Sequence, residues 1–378
     1  MKALVMLLAF AELSGAQELR FVSPVPPGSF TVRSGIVYEG APASLTFDLF
    51  QPAKRTDSGL LPVLVIFNGY GISMMRTSPQ SQGWAKAASA HKLCAITMEA
   101  TQGHVAESLD SLISYLGRHS ADLGIDPEQI AVIAWSGNVS SGLETVENPK
   151  RQAIKAAVMY YGSGPFERAR LDLPVLFVRA GLDQPDANHN LDSVLSAGLT
   201  ANAPWSILNY PAGHHGFDVV DDNDASREMV EETFRFLHLV LSPSYQRALR
   251  AGLPEATAAS AFSTGDFVRA VTLYLPLVEA QPHNAHLLLA YGNALIGAKR
   301  YREARALFDS VKAIGSAGPR DLALPAARAS ALDGDPDAAI AWLRSIPRDI
   351  ELPLSLETDP AFATLKDRAD FQALFHHP

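Results

Sequence analysis

Ser136 stands in Ala134-Trp135-Ser136-Gly137-Asn138, directly after the apolar, β-branched run Ile130–Ile133. A serine alcohol is a weak nucleophile and attacks a carbonyl only when a neighbouring base takes its proton. A strand that turns sharply into a helix can hold one serine exposed at the bend, usually within G-x-S-x-G. Here Ala134 and Asn138 replace both outer glycines. The pentapeptide alone is therefore also the text of an ordinary turn serine. The base and its partner must come from elsewhere in the chain.

Past the apolar run Pro174–Val178 comes Arg179-Ala180-Gly181-Leu182-Asp183-Gln184-Pro185-Asp186. A carboxylate just beyond a buried strand suits the residue that holds an imidazole's tautomer and stabilises the imidazolium. Asp183 is the first choice and Asp186 the competitor, against a background in which most loop aspartates are merely solvated. Past Trp205–Tyr210 comes Pro211-Ala212-Gly213-His214-His215-Gly216-Phe217-Asp218. Either histidine of this glycine-flanked loop has the chemistry of a general base that then acts as general acid. Paired histidines also raise the question of a metal. His214, His215 and Asp218 show no i, i+4 histidine pair and no wider ligand cluster, so a zinc site is not expected. The chemistry needs side chains and backbone N–H groups only, so no cofactor is implied.

The elements that must position these residues follow from hydrophobic pattern. Residues 31–40 and 43–50 alternate as strands do, and Val63–Phe67 is a continuous apolar run of the kind buried on both faces of a parallel sheet. Helical spacing over 84–91 and 103–123 alternates with apolar runs at 93–98, 130–133 and 154–161, and a closing helix is expected over 226–241. This rhythm predicts a doubly wound, mostly parallel sheet with helices on both faces. Only residues 163–173 separate two of its strands, which leaves no room for a large lid and predicts a site open to solvent. The strand at 63–67 ends in Asn68-Gly69-Tyr70-Gly71, where elbow-bearing enzymes place a loop that donates one N–H to an oxyanion. The Tyr70 N–H is the expected donor and the Tyr70 hydroxyl the second choice; a plain glycine turn is the alternative.

The order serine, acid, histidine is that of the α/β-hydrolases. Residues 17–242 resemble the dienelactone hydrolase and esterase branch of that fold. The residues that carry the resemblance are Asn68-Gly69-Tyr70-Gly71, residues 124–132, Ser136-Gly137, Tyr161-Gly162, Gly181-Leu182-Asp183 and His215-Gly216-Phe217. In that family the histidine directly before Gly-Phe is the catalytic one, so the resemblance implies His215 rather than His214. It further implies that Ser136 attacks an ester carbonyl, that Asp183 orients His215, and that the N–H groups of Gly137 and Tyr70 bind the oxyanion. Dienelactone hydrolases proper use a cysteine nucleophile; the serine here is that of the related esterases and peptidases. A prolyl-oligopeptidase-like peptidase is the alternative within serine chemistry. Those enzymes carry a propeller before the hydrolase domain, and residues 17–62 are too few for one. A hydrolase fold that has lost activity and serves as a scaffold is the alternative outside it.

Beyond Ser242-Pro243-Ser244 the strands stop and a period appears. Ala270, Ala304 and Ala338 form one column, Tyr274, Phe308 and Trp342 a second, and Ala258, Gly292 and Ala326 a third, all in one register. A fourth column holds Phe267, Tyr301 and Asp335. The step, about 34 residues, is that of tetratricopeptide repeats, in which small residues sit where paired helices touch. Three helical hairpins are expected over about 252–347, the third degenerate, with the tail to 378 as a capping segment. Such solenoids usually bind proteins or peptides; shielding of the hydrolase region or formation of a dimer is the alternative.

The 378 residues, 47% hydrophobic and 19% charged with net charge −9, describe a globular chain of more than one domain. No Lys/Arg-rich run supports a nucleic-acid partner. Met1-Lys2, the apolar stretch Ala3–Ala11, and the small residues Ser14 and Ala16 predict a secretory leader at 1–16, cleaved after Ala16, and a periplasmic or secreted protein. No later run is long and apolar enough to span a bilayer. Cys94 is the only cysteine, so no intramolecular disulfide exists, and its apolar surroundings predict a structural thiol.

Overall fold

Eight strands form one sheet in the computed structural model, which describes residues 20–40, 44–54, 59–315, 317–347, 352 and 355–375. The leader expected over 1–16 lies outside the described residues. The strands are β1 (Phe30–Glu39), β2 (Leu45–Pro52), β3 (Leu61–Ile66), β4 (Cys94–Met98), β5 (Ile125–Trp135), β6 (Ile154–Tyr160), β7 (Val175–Ala180) and β8 (Trp205–Tyr210), in the order β1-β2-β4-β3-β5-β6-β7-β8. β2 is antiparallel to both neighbours, and β4 through β8 are parallel. This is the α/β-hydrolase topology, and it brings the C-terminal ends of β3, β5, β7 and β8 to one edge, where open α/β sheets hold their sites.

The helices of this unit are α1 (Met74–Thr77), α2 (Pro79–Ala90), α3 (Val105–Leu123), α4 (Asn138–Val146), α5 (Pro185–Thr200), α6 (Phe217–Val220) and α7 (Asp224–Val240). Alternation along β5 divides the core between the two faces. Ile130, Val132 and Ala134 pack with Leu109, Leu112, Leu143 and Leu191 of α3, α4 and α5. Ala131, Ile133 and Trp135 pack with Trp84, Val230 and Phe234 of α2 and α7. A strand covered by helices on both sides needs apolar residues at every position, which is why β5 reads as a continuous run.

Three local readings shift. β5 starts at Ile125 rather than Ile130, and Asp126-Pro127 lies inside it as a bulge: Leu61 pairs with Ile125 but Val63 with Ile130. Asp-Pro is ordinarily a turn or helix-start signal, and here it makes only a local turn, with the Glu128 N–H donating to Asp126 Oδ1 at 3.0 Å; Pro127 has no N–H to give the ladder. α2 starts at Pro79 rather than Trp84, because Ser78 caps it by accepting from the Ser81 N–H at 3.2 Å. α5 covers residues 185–200, where no element is named above. Its buried face includes Asn188, whose Nδ2 donates to the Ala180 carbonyl at 3.0 Å, so a polar residue interrupts the apolar pattern.

The described residues divide into two compact units: those up to 199 together with 203–251, and 200–202 together with those from 252 onward. The division falls inside α8 (Pro243–Ser263), a helix that starts at the compositional boundary near 242 and runs past it. The second unit continues with α9 (Phe267–Ala280), α10 (Ala285–Gly297), α11 (Tyr301–Ile314), α12 (Pro319–Leu332) and α13 (Pro336–Arg344), each packed on the next. The periodic columns are its core. A Cβ on Gly292 would lie 2.4 Å from the Phe308 ring, so the small column makes room for the aromatic one. In the third copy Ala338 and Trp342 are only half-buried, and Ala339, Ile340 and Leu343 take the core instead. Asp335 is not a packing residue: it caps α13 by accepting from the Ala338 N–H at 3.0 Å. Phe362, Leu365 and Phe371 of the tail close the apolar face around Ala327, Ile340 and Leu343.

Candidate active site

Ser136 occupies the bend between β5 and α4 at φ +54°, a left-handed conformation that a serine adopts only under strain of about 1–3 kcal/mol. Backbone bonds hold it there. The Ser136 N–H donates to the Tyr160 carbonyl at 2.9 Å, and the Val139 N–H donates to the Ser136 carbonyl at 3.0 Å. The bend leaves Ser136 Oγ 2.7 Å from His215 Nε2. His215 Nδ1 lies 2.7 Å from Asp183 Oδ2. The Asp183 side chain is 4% exposed and that of His215 25%. The second oxygen of Asp183 accepts the Gln184 N–H at 2.7 Å, so both sides of the carboxylate are engaged. A neutral imidazole donating from Nδ1 to this carboxylate has a free lone pair on Nε2, aimed at the serine hydroxyl.

The two residues left as competitors lie elsewhere. His214 is exposed and pairs through Nδ1 with Asp221 at 2.9 Å. Asp186 is exposed in the first turn of α5. Among the described residues, no group of three or more His, Cys, Asp or Glu is placed to hold a metal ion, and no helix is long and apolar enough to cross a membrane.

The glycines missing from the elbow are supplied by what packs against it. Opposite Ala134 is Gly142 of α4, where a Cβ would lie 3.0 Å from the Ala134 Cβ. Opposite Asn138 is Gly69, where a Cβ would lie 3.0 Å from Asn138 Cα. Close approach depends on the pair, not on which partner carries the glycine. Gly162 faces the bend itself: a Cβ there would lie 2.5 Å from the Ser136 carbonyl oxygen and 2.8 Å from the Val139 side chain. Gly162→Ala is therefore expected to shift the serine and slow its reaction with a fluorophosphonate by about 100-fold. Rates of covalent labelling of the two proteins by a fluorophosphonate check this, and equal rates contradict it.

Asn68 shapes the loop that carries Tyr70. Its Nδ2 donates to the Ile72 carbonyl at 2.8 Å, and its Oδ1 accepts the Ile72 N–H at 3.1 Å. The Tyr70 side chain is thereby laid across the elbow. A Cβ on Gly137 would lie 1.7 Å from the Tyr70 hydroxyl oxygen. Of the two Tyr70 donors read from the sequence, the hydroxyl is thus set against Gly137. Gly142 lies outside the G-x-S-x-G pattern. Its signal is its place one helical turn past Asn138, on the face of α4 that returns to β5.

No curated protein matches the sequence. Solved structures are similar to part of the chain. They include MGS-M1, an α/β-hydrolase enzyme from a Medee basin deep-sea metagenome library, at 16% identity and TM-score 0.47, covering 57% of this chain and 99% of that one. An inhibited esterase B from Lactobacillus rhamnosis shows 13% identity and TM-score 0.49, covering 65% and 95%. A Klebsiella pneumoniae protein assigned as a dienelactone hydrolase shows 17% identity and TM-score 0.44, covering 55% and 98%. Residues 261–320 match the model of a tetratricopeptide repeat. The chain thus joins a sheet of α/β-hydrolase topology to a helical region that contains a tetratricopeptide repeat.

Proposed function

We propose that the protein is a serine hydrolase that cleaves carboxylic esters through an acyl-enzyme. One observation carries this reading: a strained serine whose Oγ is 2.7 Å from an imidazole nitrogen, with a buried carboxylate 2.7 Å from the other nitrogen. Ser136 Oγ attacks the ester carbonyl carbon while His215 Nε2 takes its proton. The carbonyl π electrons move onto oxygen, and the resulting oxyanion is met by the Gly137 N–H and a Tyr70 donor. Each such donor is worth about 2.7–4 kcal/mol in acyl transfer. Collapse of the tetrahedral intermediate breaks the bond to the leaving alkoxide, which receives the proton from His215. Water then repeats the sequence on the acyl-enzyme and releases the acid. Asp183 keeps the His215 tautomer and offsets its charge in both halves.

The test is turnover of short-chain aryl esters together with covalent labelling by a fluorophosphonate probe. A folded wild-type chain that does neither contradicts the reading and leaves the scaffold alternative. We further propose that the chain is exported with removal of 1–16. N-terminal sequencing of the protein from an expressing cell is then expected to begin at Gln17, and retention of Met1 contradicts it. The tetratricopeptide region would supply contacts to a protein or peptide partner.

A further inference from the structure

We propose that Asp218 is a positioning residue for His215, acting through the hydroxyl and ring of Tyr161; the inference rests on the serine-hydrolase reading above. Asp218 lies in α6, three residues past His215 and beyond Gly216 at φ +77°. Its carboxylate is wholly buried, yet among the described residues it forms no ion pair with a cation within 4.0 Å. Three donors satisfy it instead. The Tyr161 hydroxyl donates to Oδ1 at 2.6 Å, and Gln80 Nε2 and Trp84 Nε1 donate to Oδ2 at 2.8 Å each. The second N–H of Gln80 goes to the Tyr161 oxygen at 2.7 Å. Every proton in the cluster has one acceptor, so the hydrogen bonds have one direction throughout.

This cluster ends on the imidazole. The Tyr161 ring lies 4.8 Å from the His215 ring, and Tyr161 itself sits at φ +33° at the end of β6. A tyrosine in that conformation is not held by its backbone preference, and its hydroxyl fixes where the ring stands. The Asp218 backbone adds a further tie, its carbonyl accepting the Val22 N–H at 2.9 Å. Asp218 thus ties the His215 loop to α2, to the end of β6 and to the N-terminal segment. The same bond that fixes the loop also fixes the ring against which the imidazole rests. Burial pushes the Asp218 carboxyl up while its donors oppose that. Asparagine is a poor replacement, because its amide nitrogen would leave either the Tyr161 hydroxyl proton or the Gln80 and Trp84 N–H groups without an acceptor.

The experiment measures kcat and KM for a short-chain aryl ester with the full chain, Tyr161→Phe, Asp218→Asn and the double variant. Thermal melts run in parallel. Each single variant is expected to lower kcat about tenfold with KM within about twofold, since a misplaced imidazole slows chemistry more than binding. The double variant is expected to be no slower than the slower single, because both remove one interaction. Tyr38→Phe is the control. It removes a buried hydroxyl that donates to the Glu99 carbonyl, away from the site, and is expected to lose stability but keep kcat. Tyr161→Phe at full kcat, a rise in KM alone, multiplying losses in the double variant, or an equal kcat loss in Tyr38→Phe would each overturn the inference. Tyr161→Phe changes one hydroxyl and decides the matter where Asp218→Asn does not fold. A wild-type chain that takes no fluorophosphonate overturns the parent reading as well; a labelled wild type with a fully active Tyr161→Phe overturns this one alone.

Discussion

Ser136→Ala is expected to lower turnover of a short-chain aryl ester by at least about 10⁴-fold and to abolish fluorophosphonate labelling, with the melting temperature almost unchanged. The substitution removes Oγ and nothing that holds the bend. The Ser136 N–H bond to Tyr160 and the bond from Val139 to the Ser136 carbonyl are both backbone. Alanine at φ +54° carries the same steric cost as serine. On the proposed mechanism, whatever activity remains measures what the Gly137 and Tyr70 donors achieve with water as nucleophile. Steady-state kinetics with the purified variant check the prediction. Turnover at the wild-type rate means that another group attacks the ester.

The second large effect is expected at Asp183. Asp183→Asn should cut kcat by about 10⁴-fold, and Asp186→Asn should leave it at the wild-type level. The reason is a tautomer. Asp183 Oδ1 already accepts the Gln184 N–H, so in the variant the amide oxygen stays on that N–H and the amide NH₂ turns toward His215 Nδ1. Nδ1 must then accept, which places the imidazole proton on Nε2, the nitrogen 2.7 Å from Ser136 Oγ. That nitrogen can no longer take the serine proton. Parallel kinetics of the two asparagine variants decide between the carboxylates, and equal losses at 183 and 186 contradict the assignment.

Much of the architecture is legible without coordinates because it is written in local pattern. The β-branched runs that become β3 to β7 are continuous, since a strand covered on both faces admits no polar alternation. The columns through Ala270 and Ala304, and through Tyr274 and Phe308, recur because each repeat buries the same face. Where local pattern misleads, another interaction overrides it. Asp126-Pro127 carries a strong turn signal, yet the ladder on β3 resumes beyond it and absorbs it as a bulge. α5 is weakly periodic because Asn188 spends a core position on the Ala180 carbonyl.

The candidate site divides along the same line. By itself, the sequence determined that a serine, an acid and a histidine follow strands in that order, with a glycine loop after β3 and a repeat of constant step beyond residue 242. Those are facts of residue type and spacing along one chain. Only the tertiary structure decided that His215 faces Ser136 while His214 turns to Asp221, and that Asp183 meets the imidazole while Asp186 opens a helix. It also decided that Gly69 and Gly142 give the elbow the space that Ala134 and Asn138 do not announce. Neighbouring residues of one type are alike in sequence, but two side chains on one loop cannot point the same way. Room for a backbone belongs to the pair that meets across the fold, and no single position along the chain records it.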